Sequence, residues 1–304
     1  MSARTPFLIS LILLLLAPVN QTAGAGAAGA RNRTLIPLWK VAGPNCTVHL
    51  LGSIHFLKVE NYPLAGPIES AFTNARIAVF EADMEEMETA DAMLKLMSKG
   101  QLPPDQSLRE LLSADVYTNF LRHAQSAGLP EAMFQRLKPS FAAITVVAVE
   151  LQRLGFDPQL GVDKHFYGRA RKSGKTIEGL ETVDFQIDLI TGFSAAEEDL
   201  VVKSTLKDFE NIQAVVGDLV KSWETGDAET LEKLLNEATR EAPVIFKRLI
   251  TDRNERWTPR IAELASGGRN AIVIVGAGHL VGKEGVVNLL KNRGLDVTQE
   301  FNRP

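Results

Sequence analysis

The stretch Ala271-Ile272-Val273-Ile274-Val275 runs directly into Gly276-Ala277-Gly278-His279. Five consecutive apolar residues, four of them β-branched, read as a strand. The glycine after them lets the backbone turn sharply where the strand ends. The same arrangement stands near the other end of the chain, where His49-Leu50-Leu51 leads into Gly52-Ser53-Ile54-His55. In an open α/β sheet, ligands gather beyond the carboxyl ends of the strands, and each pattern puts a histidine there. So far apart in the chain, the two imidazoles can meet only if their strands share one sheet.

Working outward, Leu35–Val41 and Cys46–Leu51 are apolar runs flanking Gly43-Pro44-Asn45, a hairpin signal. Pro67–Asn74 reads as a helix, and Arg76–Ala82 as a buried strand. Residues 84–157 read as almost wholly helical, broken at Pro103-Pro104, at Gly128-Leu129-Pro130 and at Pro139. A helix over 164–172 and a strand over Thr176–Leu180 follow. Three longer helices are expected over 195–223, 227–240 and 243–265. The chain then closes with the strand Ala271–Val275, a helix Glu284–Asn292 and a strand Leu295–Phe301. Strands dispersed among many helices predict an α/β fold: a central mixed sheet with flanking helices and a largely helical insertion at about 84–157.

Composition excludes several classes. The chain has 304 residues, with 33 Lys+Arg against 37 Asp+Glu, and so lacks the basic footprint of a nucleic-acid binder. Its 45% apolar content is too high for a disordered chain. One cysteine, Cys46, permits no intrachain disulfide and no cysteine-rich zinc site. Residues 1–30 read as a signal peptide: Arg4, an apolar run Phe7–Val19, then small residues ending in Ala28-Gly29-Ala30. The expected location is therefore exported, periplasmic or secreted, with residues 31–304 as the mature domain. Membrane contact is expected only through an uncleaved signal segment.

A third group joins the two histidines. Glu81 ends the apolar strand Ile77–Phe80. His55, Glu81 and His279 at one sheet edge would suit a divalent metal with an open water position. The competing readings are structural: histidines that cap strand ends, and a carboxylate that bonds loop amides or caps the next helix. Asp163 and His165 sit at an expected helix start, where Asp163 suits an N-cap and His165 a group supporting the site or facing substrate. Glu181 follows a strand and could be a solvated loop carboxylate. Arg253 and Asn254 lie mid-helix, on what is ordinarily a solvated face. Gly276-x-Gly278-x-x-x-Gly282 imitates a dinucleotide loop, but the chain ends one βαβ later, too soon for the rest of such a domain.

Six short motifs occur in order: Gly52-Ser53-Ile54-His55, Phe80-Glu81-Ala82-Asp83, Gly161-Val162-Asp163-Lys164-His165-Phe166, Gly179-Leu180-Glu181-Thr182, Asp252-Arg253-Asn254-Glu255-Arg256-Trp257 and Val275-Gly276-Ala277-Gly278-His279-Leu280. Together they resemble the TraB/PrgY/GumN family, from about Leu35 to Val297. That resemblance implies kinship with Tiki-type metalloproteases and, more distantly, with erythromycin-esterase-like and ChaN-like proteins. It implies an α/β sheet carrying a His/Glu site, and hydrolysis of a peptide or small ester that depends on a divalent cation such as manganese or cobalt. In that reading His55, Glu81 and His279 hold the metal (zinc being the other candidate), while Glu81, Glu181, Arg253 and Asn254 position water and substrate. One departure stands out: where many relatives carry Glu-Gln, this chain reads Asp184-Phe185-Gln186. Three alternatives remain: a metal-free esterase with His55 as general base, a non-catalytic protein that captures a peptide signal or haem, and a scaffold in polysaccharide export.

Overall fold

A computed structural model describes residues 34–302, so the expected signal peptide lies outside the described residues. Six strands form one mixed sheet in the order β4-β3-β5-β2-β1-β6. They are β1 (Thr34–Ala42), β2 (Thr47–Ser53), β3 (Ile77–Phe80), β4 (Thr176–Gly179), β5 (Ala271–Gly276) and β6 (Asp296–Asn302). The hairpin expected around Gly43-Pro44-Asn45 joins β1 to β2 antiparallel, and β6 pairs antiparallel with the far side of β1. The other four run parallel: β2 with β5, β5 with β3, and β3 with β4.

Parallel strands buried on both faces should be apolar without alternation. Every residue of β3 and β5 is indeed buried. The main core is built on these strands and takes in Trp257, Ile261 and Leu264 from the helix Asp252–Ser266 and Phe166 from the helix Val162–Lys172. A second apolar cluster sits in the helical part, around Phe141, Ile144, Val201 and Ile245. Cys46 is buried, its thiol against the carbonyl oxygen of Ala265 at 3.2 Å. Among the described residues no helix is long and apolar enough to cross a membrane.

Several expected elements differ in detail. The helix expected over 195–223 is two, Ala195–Phe209 and Ile212–Glu224, broken at Glu210-Asn211. Asparagine there competes with the backbone for its own hydrogen bonds. A helix over Val183–Thr191 was not expected; Thr182 starts it by accepting a bond from the Phe185 amide. The helix Val162–Lys172 begins two residues early, so Gly161 holds the cap position and Asp163 stands inside the first turn. That shift frees the Asp163 side chain from capping.

The segment expected as one helix over 243–265 contains a π-helical turn, Lys247–Thr251, between Pro243–Phe246 and Asp252–Ser266. A π turn inserts one residue, which rotates everything after it by about 100° relative to an unbroken α-helix. Arg253, two residues beyond the turn, thereby faces inward and is fully buried.

Candidate active site

The four parallel strands all deliver chemistry at their carboxyl ends. Glu181 lies just past β4, Glu81 past β3, His279 past β5 and His55 past β2. The spatial order therefore runs Glu181, Glu81, His279, His55 across one edge, although the chain order is different. The two strand–Gly-x-x-His patterns stand side by side because β2 and β5 are neighbours in register, Ser53 opposite Gly276.

Arg253 organises this edge. Its Nη2 donates to Glu81 Oε2 at 2.6 Å and to Glu181 Oε1 at 2.5 Å, and its Nε donates to Glu181 Oε2 at 3.1 Å. Nη1 donates to the Leu249 carbonyl in the π turn and to His279 Nε2, both at 3.1 Å. A guanidinium only donates, so His279 Nε2 must carry the lone pair and Nδ1 the proton. That Nδ1 then donates to Asn254 Oδ1 at 2.6 Å, while Asn254 Nδ2 donates to the Glu284 carbonyl. Gly276 N–H completes Glu81, donating to Oε1 at 2.8 Å.

Trp257, expected as a core anchor, is fully buried and also works in the cluster. Its Nε1 donates to Glu181 Oε2 at 3.1 Å, and its ring packs against both the Arg253 guanidinium and the His279 imidazole. Gln186 Nε2 donates to Glu181 Oε1 at 3.1 Å. The glutamine of the departing Asp184-Phe185-Gln186 stretch thus keeps a place in the site. Asp184, by contrast, is exposed and pairs with Lys95 outside it. The signal for Gln186 was its spacing: it lies one turn into a helix that opens directly after Glu181.

Burial pushes the Glu81 carboxyl up most strongly of any single cause, but Arg253, His279, His55 and the Gly276 amide together outweigh it, and the group is held at about 2. Burial and then the Arg253 charge push His279 down to about 3, against the pull of Glu81. Arg253 keeps its charge because the two glutamates outweigh its own desolvation. At neutral pH the Glu81 carboxylate therefore stands beside a guanidinium and a neutral imidazole.

Both shifted groups destabilise the fold in acid. The part of the stability that depends on neutral His279 is complete above about pH 6.5 and is lost as the pH falls toward 3. The part that depends on ionised Glu81 is complete above about 4.5 and is lost toward 2. Urea midpoints measured from pH 8 to 3 are expected to decline continuously below about 6.5. His279→Gln should remove the upper part of that decline; an unchanged profile would contradict this picture of His279.

His55 stands apart from the arginine network. Its Nδ1 lies 2.8 Å from Asp163 Oδ2. The two are brought together by a tight backbone approach: Val162 N–H donates to the Ile54 carbonyl, and a Cβ on Gly161 would stand 2.5 Å from the His55 oxygen. His55 and Asp163 line a cavity of about 100 Å³ with Ser53, Glu81 and Gln186. His165 does not join them; it packs against Tyr62 and lies 3.0 Å from Arg169. Asp83, two residues after Glu81, caps the short helix Met84–Met87 and accepts from the Tyr167 hydroxyl.

The expected metal triad of His55, Glu81 and His279 is not arranged as a donor set. Among the described residues no group of three or more His, Cys, Asp or Glu side chains could hold a metal ion. The reason is Arg253, a buried cation that takes Glu81 Oε2 and His279 Nε2, while Gly276 takes Glu81 Oε1. A divalent ion would have to displace a guanidinium from between two carboxylates, so these residues as placed do not fit one.

A model of the TraB/PrgY/gumN family matches residues 37–299. The chain is similar to the Escherichia coli (strain K12) protein named Uncharacterized protein YbaP, 22% identical over 80% of this chain and 87% of that one. It is also similar to Metalloprotease TIKI1 of Xenopus tropicalis, 23% identical over 75% of this chain and 54% of the relative. Metalloprotease TIKI1 of Homo sapiens is 22% identical over 98% of this chain and 69% of the relative. No solved structure matches.

Proposed function

The chain belongs to the TraB/PrgY/gumN family, and from that membership together with the site we propose that it is an exported hydrolase of peptide or ester bonds, with His55 as general base. The observation that carries the reading is the His55–Asp163 pair on the wall of a cavity it shares with ionised Glu81. Asp163 holds the imidazole by Nδ1, which fixes the tautomer and leaves the base function to Nε2. Water adds to the acyl carbon as His55 takes its proton, and the proton then passes to the departing amine or alkoxide. Asn254 keeps His279 in place, and Arg253 keeps Glu81 ionised and holds both Glu81 and Glu181 by hydrogen bonds. These are positioning residues rather than groups that meet substrate. Export rests on the composition of residues 1–30.

A second reading is supported by the TIKI relatives, which are named metalloproteases. On it, activity needs a divalent cation, and the arginine network must rearrange to admit one. Untagged protein, assayed on fluorogenic peptides and nitrophenyl esters before and after chelation, separates the two. Turnover that persists through chelation and ignores added Mn²⁺, Co²⁺ or Zn²⁺ is the expected result. Turnover lost on chelation and restored by one metal would replace it with the metal-dependent reading. Tight peptide binding with no turnover under either condition would assign the protein to capture instead.

A further inference from the structure

The cavity beside His55 has two unlike ends. One is polar, formed by Ser53, His55, Glu81, Asp163 and Gln186; the other is apolar, formed chiefly by Met84, Met87, Met93, Leu96, Leu189 and Ile190. The apolar end is supplied by two helices, Ala90–Lys99 and Val183–Thr191, together with the short helix Met84–Met87. Its volume of about 100 Å³ is below the roughly 150 Å³ cavity that accommodates a benzene molecule. A branched aliphatic side chain suits a space of that size better than a bulkier aromatic one. Methionines on the wall can adjust their rotamers to close around such a group.

The polar end contains two buried atoms that have no hydrogen-bond partner among the described residues: Ser53 Oγ and Asp163 Oδ1. Ser53 is completely buried. Leaving such atoms unmatched costs about 1–3 kcal/mol each, and both residues belong to the cavity lining, so a polar guest that reaches them would supply the missing partner. A carboxylate can only accept, and a hydroxyl can donate to a carbonyl. The complementary guest thus carries one N–H and one C=O beside an aliphatic branch. A peptide unit has both; a simple ester has no donor for Asp163.

We propose that this cavity is a subsite for one branched aliphatic side chain of a peptide, with Ser53 donating to a main-chain carbonyl and Asp163 Oδ1 accepting a main-chain N–H of the same residue. The proposal rests on reading the His55 edge as the reaction site, and it narrows the substrate there to peptides with leucine, isoleucine or valine at that position. Gly161 serves the subsite indirectly, since its missing side chain is what lets Asp163 approach His55.

The test reads binding rather than turnover. N-acetyl-X-methylamides with X as glycine, valine, leucine or tryptophan are titrated into the purified protein and followed by NMR, along with the leucine analogue whose acetyl amide is replaced by an ester. The leucine and valine probes are expected to bind at least about tenfold tighter than the glycine and tryptophan probes. The ester analogue should lose about tenfold, because Asp163 Oδ1 is left unmatched. Leu189→Phe should abolish the preference for leucine, so that the leucine probe binds no tighter than the glycine probe. Met87→Phe, on a half-buried position at the cavity, makes the same test if the first variant does not fold. Equal binding of all probes, preference for tryptophan, no effect of the ester, or no binding at millimolar concentration would each overturn the proposal. A protein that selects leucine yet cleaves nothing would keep the subsite and remove the hydrolase reading; cleavage without leucine selection would do the reverse.

Discussion

Arg253→Met is expected to destabilise the protein by about 3–5 kcal/mol, because it leaves Glu81 and Glu181 buried without a compensating charge. For a chain of this size that corresponds to a fall in melting temperature on the order of 10 °C. The loss is not the worth of the ion pairs themselves. It is chiefly the penalty of two carboxylates stranded in a dry site, so removing them as well should give most of it back. The triple variant Arg253→Met, Glu81→Gln, Glu181→Gln is therefore expected to be more stable than Arg253→Met alone, measured by urea unfolding. Arg253→Lys should rescue little. An ammonium cannot reproduce the fork that reaches both glutamates, the Leu249 carbonyl and His279 at once. If Arg253→Met unfolds at the wild-type midpoint, the cluster does not hold the sheet edge together as described.

His55→Ala is expected to act in the opposite sense, lowering turnover by about 10²–10⁴-fold while shifting stability little. The side chain is partly exposed on a cavity wall, and its ion-pair partner Asp163 is partly exposed as well, so its removal strands no fully buried charge. Asp163→Asn keeps the shape and removes the acceptor charge that orients the imidazole. Its effect should fall on kcat more than on KM, and should be smaller than that of His55→Ala. In the double variant the two losses should not add, since Asp163 acts through His55. Additive losses would assign Asp163 a separate role, and full activity in His55→Ala would remove the general-base reading altogether.

The edge on which these residues meet was legible from the chain because glycine and histidine recur at one spacing after two apolar runs. Glu81, Glu181, Arg253 and His279 do share a site, with Asn254 behind the imidazole. The role of Arg253 was not legible. Mid-helix polar residues ordinarily face solvent, and only the π turn at Lys247–Thr251 rotates this one inward. No local pattern in Lys247-Arg248-Leu249-Ile250-Thr251 announces that turn. For the same reason the expected metal triad did not anticipate a cation already supplied by the protein. Asp163 was misplaced by two residues at a helix start, which made it look like a cap instead of the partner of His55. That the Ser53 hydroxyl is buried without a partner is visible only in the tertiary packing.

The strand order has a bearing on how the protein is made. β5 lies in the middle of the parallel part of the sheet, between β3 and β2, yet it is the next-to-last strand to leave the ribosome. Until it arrives, β2 and β3 have no shared neighbour, and His279 is missing from the sheet edge. Contacts that distant in the chain form slowly, since the ends must first find each other. The nascent chain therefore remains an open, incompletely paired polypeptide through most of synthesis. Late delivery of the central strand therefore postpones both folding and reactivity until synthesis of the chain is nearly complete.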